Sequence, residues 1–272
     1  MPTIKAIYDF LNTKAPFSLQ EDWDNSGFLV GDPNTEVTKV LTALDITDEV
    51  IAEAAAWGAE LIVSHHPVIF RPVRQATTGE ADLTGRKVWN LARHGISAIC
   101  CHTDLDVIEG GVNTVLAQKL GLEEIEQLEQ TGTDREGRPY GIGRIGSLPQ
   151  PMETQAFLRL VRSALVPNGI RYTDSGRPIR RVAVGGGACG DMVMTAWKAG
   201  CDAFVTSDVK YNQFLDAKEL GMTLVDAGHF PTENPVIPVV AQWLRGAFPQ
   251  VRVRISQRHR EVISYDLGEN SR

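Results

Sequence analysis

A chain of 272 residues with 43% hydrophobic and 22% charged residues has the composition of an ordinary globular protein of one large or two smaller domains. A net charge of −7 without a long Lys/Arg cluster disfavours nucleic acid as a partner, and no stretch reaches the ~18 apolar residues of a membrane-spanning helix. Residues 1–16 lack the apolar segment and cleavage site of a signal peptide, and the cysteines Cys100, Cys101, Cys189 and Cys201 form no CxxC pair, which suits buried free thiols in a reducing cytoplasm.

In chain order, residues 1–16 read as an amphipathic helix with Ile4, Ile7, Phe10 and Leu11 on one face. Turn chemistry over 22–27 leads into a short strand. A strand over 39–44, a helix over 48–57 capped by Thr47 or Asp48 and stopped by Gly58, and a strand over 61–65 make a βαβ unit. A long loop spans 70–85, followed by a helix over 86–94, a strand over 97–102 and a helix over 113–120. The stretch 123–178 is different in character, with a strand near 141–148, an amphipathic helix over 153–165 and a hairpin over 171–179. Strand–helix alternation then resumes from 181, ending in a helix over 234–248 and a strand over 251–255. The basic residues Arg252, Arg254, Arg258 and Arg260 begin on that strand and read as a charged solvent face.

Shifting 39–66 by 142 residues lays it on 181–208 without gaps. Lys39 falls on Arg181, Gly58 on Gly200, Glu60 on Asp202 and Val63 on Val205. The expected fold class is therefore α/β, with two related halves and mainly parallel sheets. A single boundary after residue 125 would divide them, with 126–180 a short middle segment of the second half.

In parallel sheets, ligands gather where strands end, and the residues at these ends are chemically loaded. His65 and His66 follow one strand, with Pro67 holding the bend that lets both face one crevice. His102, Asp104 and Asp106 follow a second, Asp208 a third, and Asp226, His229 and Glu233 a fourth. Mixed imidazole and carboxylate donors suit Zn²⁺, Fe²⁺, Mn²⁺ or Co²⁺. Asp104 and Asp106 would share a face of an extended segment, and His229 and Glu233 one face of a helix opened by Pro231. Cys100 and Cys101 are weaker metal candidates. Gly185-Gly186-Gly187-Ala188-Cys189-Gly190 matches GxGxxG between a strand and a helix, with Asp202 and Asp208 near the position of a ribose-binding acid. A tight turn, or an anion cradle, is the competing reading, since a dinucleotide site leaves every histidine unexplained.

Six ordered motifs together resemble one family. They are Trp23-Asp24-Asn25-Ser26-Gly27, Ser64-His65-His66-Pro67, His102-Thr103-Asp104-Leu105-Asp106, Val182-Ala183-Val184-Gly185-Gly186-Gly187, Thr206-Ser207-Asp208-Val209-Lys210-Tyr211 and Ala227-Gly228-His229-Phe230-Pro231-Thr232-Glu233. The family is the Nif-three-like dinuclear-metal proteins, often labelled GTP cyclohydrolase 1 type 2 homologues. The resemblance implies two intertwined three-layer α/β/α halves and two divalent ions held by His65, His66, Asp106, His229 and Glu233. It selects Asp106 over Asp104, which spacing leaves open. It also implies a ring-shaped hexamer built from dimers. Asn212 and Asp104 depart from the residues common in the family.

On this basis the chain is expected to be a cytoplasmic metal-dependent hydrolase, with two ions ~3.5–4 Å apart activating water. Its substrate would be a small molecule, with a nucleotide or purine ring suggested by the family label. His102 and Asp104 are candidates for orienting ligands or shuttling protons. Lys210, Arg71 and Arg74 are candidates for holding a phosphate. The alternative is a non-catalytic metal-binding regulatory or scaffold protein.

Overall fold

The computed structural model describes residues 1–134 and 136–266. Its strands are β1 (Gly27–Val30), β2 (Lys39–Ala43), β3 (Leu61–Ser64), β4 (Ser97–Cys100), β5 (Glu123–Gln127), β6 (Gly132–Thr133) and β7 (Pro139–Tyr140). They continue with β8 (Arg144–Met152), β9 (Arg171–Thr173), β10 (Ile179–Val184), β11 (Ala203–Thr206), β12 (Thr223–Asp226) and β13 (Arg252–Ile255). The chain forms two compact units, one of residues 1–108 with 236–260, the other of residues 109–235 with the described residues from 261 on. No helix among the described residues is long and apolar enough to cross a membrane.

The first unit is built on a sheet of order β1-β4-β3-β2-β13. Only its edge strand β1 is antiparallel. Leu41, Ala43, Ile62 and Ala98 pack on one face against Val50, Ile51 and Ala54 of helix Asp48–Trp57 and Leu91 of helix Leu83–Arg93. The intervening residues Val40, Leu61, Val63 and Ile99 are also buried. Both faces are thus covered, as near-continuous apolar strands require. The expected boundary after 125 does not hold as a single cut. β13 pairs in parallel with β2, so Val253 and Ile255 complete the first sheet, and both units are interrupted in the chain.

The second unit has a sheet of order β5-β8-β10-β11-β12-β9, with parallel β10, β11 and β12 at its centre. Val182, Val184, Ala203, Val205 and Val225 face Phe157 and Val161 of helix Thr154–Leu165. Ala183, Phe204 and Leu224 face Val193 and Ala196 of helix Val193–Lys198 and Ala217 of helix Tyr211–Glu219. This is a three-layer α/β/α arrangement. The hairpin expected over 171–179 is absent, because β9 pairs antiparallel with β12 at the sheet edge and β10 lies elsewhere in the order. The Ser175-Gly176 turn bends the chain without pairing its two arms.

The internal repeat is physical. Val40 pairs with Leu61 and Val182 with Ala203, in each case across 21 residues. Glu60 accepts the Thr38 and Lys39 amides at 3.1 and 2.8 Å, and Asp202 accepts the Arg180 and Arg181 amides at 2.9 and 2.8 Å. Lys39 Nζ reaches the Trp57 carbonyl and Arg181 Nε the Ala199 carbonyl, satisfying the helix end in each copy. The same polar solution at positions 142 apart exceeds what shared βαβ geometry demands.

One consequence is measurable. Burial alone would raise the Glu60 pKa, but the hydrogen bonds from Thr38 and Lys39 outweigh it and hold the carboxyl below its ordinary 4.5. A depressed carboxylate stabilises the fold above its unfolded pKa, and the contribution is lost as pH falls through the folded value. Glu60→Gln is therefore expected to cost about 1–2 kcal/mol at pH 7 and to flatten the stability loss below about pH 4.5. Urea unfolding at several pH values tests this, and parallel pH slopes for both chains would refute it.

Candidate metal centre

In the first unit, β3 ends at Ser64 and delivers His65 and His66, while His102 follows β4. Each imidazole has its Nδ1 committed to an oxygen. His65 Nδ1 lies 2.8 Å from the Cys101 carbonyl, His66 Nδ1 2.8 Å from Asp45 Oδ1, and His102 Nδ1 2.7 Å from Asp24 Oδ1. A carbonyl or carboxylate can only accept, so Nδ1 is the donor in each pair and Nε2 is left to face the cluster. Ring centroids of the three histidines are 4.9–5.3 Å apart, and one ligand nitrogen from each lies within 4.8 Å of the others. Asp106 Oδ1 lies 3.6 Å from His65 Nε2.

Behind these rings stand fixed acceptors. Asp24 also accepts the Thr103 amide and hydroxyl at 3.1 and 2.6 Å. The second oxygen of Asp45 accepts His259 Nε2 at 2.8 Å. Burial works against both charges, but these donors and the histidines beside them hold each carboxyl well below the ordinary range. They remain carboxylates at any working pH and keep orienting the rings.

The second unit contributes His229 and Glu233, at the two ends of a one-turn helix His229–Glu233. The i, i+4 spacing puts His229 Nε2 3.0 Å from Glu233 Oε2, while Nδ1 donates to Asp208 Oδ2 at 2.6 Å. Burial would lower the His229 pKa, yet the hydrogen bonds to Asp208 and Glu233 push it up to about 11. The imidazolium proton facing Glu233 occupies the position in which a cation would be welcome. Asp208 adopts φ +51, a conformation Asp tolerates better than most residues.

The GxGxxG stretch packs against this helix. The Gly185 amide donates to Val205 O, Gly186 to Asn113 Oδ1 and Gly187 to Thr232 Oγ1, so these N–H groups are spent within the protein. A Cβ on Gly187, at φ +66, would stand 2.0 Å from Glu233 Oε1. Gly187 is needed for close approach to Glu233, whereas a Cβ on Gly185 would meet Cys189 and one on Gly186 would meet Val112.

Other expected residues separate. Thr103–Val107 is a short helix with His102 before it, not an extended segment, so Asp104 and Asp106 point to different sides. Asp104 is buried, accepts Ser26 Oγ and the His102 amide, and is pushed up to about 7 chiefly by burial. Asp226 takes Arg171 and the amides of Val209 and Gly228, a structural role. Burial pushes the Cys100 and Cys101 thiols up, and Cys101 touches His65 through its carbonyl. Lys210 pairs at 3.8 Å with Asp191. Arg71 and Arg74 are exposed on the segment before helix Leu83–Arg93, as is Asn212 on its own helix.

Three orienting residues were missed by sequence reasoning: Asp24, read only as turn chemistry and part of a motif, Asp45 and His259. Asp45 stands just beyond the end of β2 and could have been found by the same strand-end rule. His259 gave no signal within a basic run. His102, expected to orient ligands or shuttle protons, brings a ring nitrogen within 4.8 Å of those of His65 and His66.

Comparison with known proteins finds a family and several relatives that this chain resembles over most of its length. A family profile described as Duf34/NIF3 (NGG1p interacting factor 3) matches residues 2–261. A Clostridium perfringens protein named GTP cyclohydrolase 1 type 2 homolog is 37% identical over 237 residues, covering 87% of this chain and 88% of that protein. The crystal structure of a Staphylococcus aureus hypothetical protein superposes with a TM-score of 0.90 at 30% identity, over 97% of this chain and 99% of that one. Reduced HcgD from Methanocaldococcus jannaschii superposes with a TM-score of 0.78 at 25% identity, over 94% and 98%.

Proposed function

The chain belongs to the Duf34/NIF3 family, and from that premise we propose that it is a dinuclear, divalent-metal-dependent hydrolase acting on a small molecule such as a nucleotide or purine ring. His65, His66, Asp106, His229 and Glu233 are its proposed ligands. The observation that carries the reading is the uniform treatment of the histidines. Nδ1 of His65, His66, His102 and His229 is bound by a fixed oxygen. That is how metal-binding imidazoles are oriented, and a core that only needed filling would not repeat it. The imidazole–carboxylate set suits Zn²⁺, Fe²⁺, Mn²⁺ or Co²⁺, which supply Lewis acidity and neutralise developing negative charge.

The protein's own groups have definable tasks. Asp45, Asp24 and Asp208 hold the rings in one tautomer. Asp104, with a pKa of about 7, is placed behind His102 to hold or release a proton on its own oxygen. Cytoplasmic localisation and a hexameric ring of dimers complete the proposal, both resting on the family resemblance.

A non-catalytic role is favoured by one finding, the family description as an interacting factor. Elemental analysis of freshly purified protein decides first. Wild type should carry two divalent ions per chain, and Asp106→Ala at least about tenfold weaker retention. A panel of nucleotides with defined Mn²⁺, Fe²⁺ or Zn²⁺ then separates the readings. Full metal with no turnover would leave the regulatory reading standing, and metal-free wild type would remove both.

A further inference from the structure

Trp23 and Phe70 are large aromatic side chains that a soluble fold would be expected to bury, yet they are 60% and 46% exposed. They belong to different loops of the first unit and still meet, with ring centroids 5.9 Å apart and planes at 60°. Both also meet the same histidine. The His102 ring lies 6.1 Å from Trp23 and 6.3 Å from Phe70, edge-on to each. His102 in turn stands among the clustered imidazoles of His65 and His66. The aromatic pair therefore borders the proposed metal centre.

The loops that carry these rings are tied down. Asp24, next to Trp23, holds His102 and Thr103. Asn25 Nδ2 donates to the Ile69 carbonyl at 2.6 Å, pinning the residue before Phe70. Ser26 is fixed by Gln20 and the His102 amide. Asp24, Asn25 and Ser26 are thus committed inward while the indole stays out. The pair is tilted at 60° and not stacked face to face, and the indole is 60% exposed, which leaves aromatic surface for a third ring to pack on.

We propose that Trp23 and Phe70 form a stacking platform beside the metal centre for the planar heteroaromatic ring of the substrate, the ring class being that of a nucleobase. The inference rests on the hydrolase reading and adds to it the part of the substrate that is bound by its π-face. Stacking is tolerant of ring identity, so the platform selects a planar heterocycle without reading its hydrogen-bonding edge.

Calorimetry on metal-loaded full-length protein tests it with two probes, guanosine monophosphate and ribose 5-phosphate, which share the phosphate and sugar and differ in the base. Guanosine monophosphate is expected to bind at least about tenfold more tightly. Trp23→Leu should weaken it by about 5- to 100-fold and leave ribose 5-phosphate unchanged. Trp23→Tyr keeps a π-face and should keep most of the affinity, which controls for a merely structural loss. Equal binding of the two probes overturns the platform, as does an unaffected Trp23→Leu. A change of oligomeric size in Trp23→Leu without any ring preference would instead make the pair a contact between copies. Metal per chain, measured on the same samples, keeps the two failures apart: absent metal sinks the hydrolase reading, and full metal without ring preference sinks only the platform.

Discussion

A chain carrying both His65→Ala and His66→Ala should lose metal affinity by at least about 100-fold and, with it, any metal-dependent turnover. The size of this effect follows from the way the rings are held. His65 is fully buried and bound at Nδ1 by the Cys101 carbonyl. His66 is bound by Asp45, which is itself bound by His259. Alanine at both positions removes at once two donors that are already oriented, one by a backbone carbonyl and one by Asp45. A graded series sharpens the test. Asp45→Asn leaves the ring but can turn an N–H towards His66, and about 10- to 100-fold weaker binding is expected. His259→Gln keeps a donor to Asp45 and should be milder than either. Titration with Zn²⁺ or Mn²⁺, followed by metal per chain after dialysis, gives the order. If the double variant holds metal as wild type does, the ligand assignment fails. If Asp45→Asn and the double variant are equally deficient, orientation outweighs donation.

The second large effect is expected from one methyl group. Gly187→Ala places a Cβ 2.0 Å from Glu233 Oε1 and 3.3 Å from His229 Nε2 at a backbone φ of +66. An L-residue in that conformation costs about 1–2 kcal/mol, and forcing Glu233 aside adds about 1–3 kcal/mol. The melting temperature should fall by roughly 5–10 °C, and Glu233 can no longer sit beside His229. Gly200 is the natural control, at φ +74 with nothing within 4 Å of its virtual Cβ. Gly200→Ala carries the conformational strain alone. The difference between the two variants measures the contact with Glu233. Thermal unfolding and metal content would both have to be indistinguishable between them for this account of the glycine run to fall.

The same glycine run shows where pattern reading stops. Gly185 to Gly190 sits between a strand and a helix in a GxGxxG match, the context a dinucleotide site requires. Only the fold reveals that Asn113 and Thr232 already occupy its amides. Those two residues lie 73 and 45 positions away from the amides they bind, and no local pattern encodes such a pairing. The helix at 103–107 is a similar case. An acidic alternation reads as extended, but Asp24 caps the Thr103 amide from 79 residues away and starts a helical turn.

By itself the sequence determined the elements whose periodicity is strong, the repeat at a shift of 142, and the enrichment of His, Asp and Glu at strand ends. These follow from short-range physics: side-chain period, capping, and the exit of parallel strands on one edge. Its motifs also carried the family, which the family profile over residues 2–261 bears out. Tertiary structure alone decided that β13 returns to the first sheet, that Asp104 turns inward while Asp106 stays by His65, and that Asp45 with His259 stands behind His66. Each depends on partners distant in the chain, where pairing energy is set by which groups meet after the backbone has folded, and local propensity carries no record of that meeting.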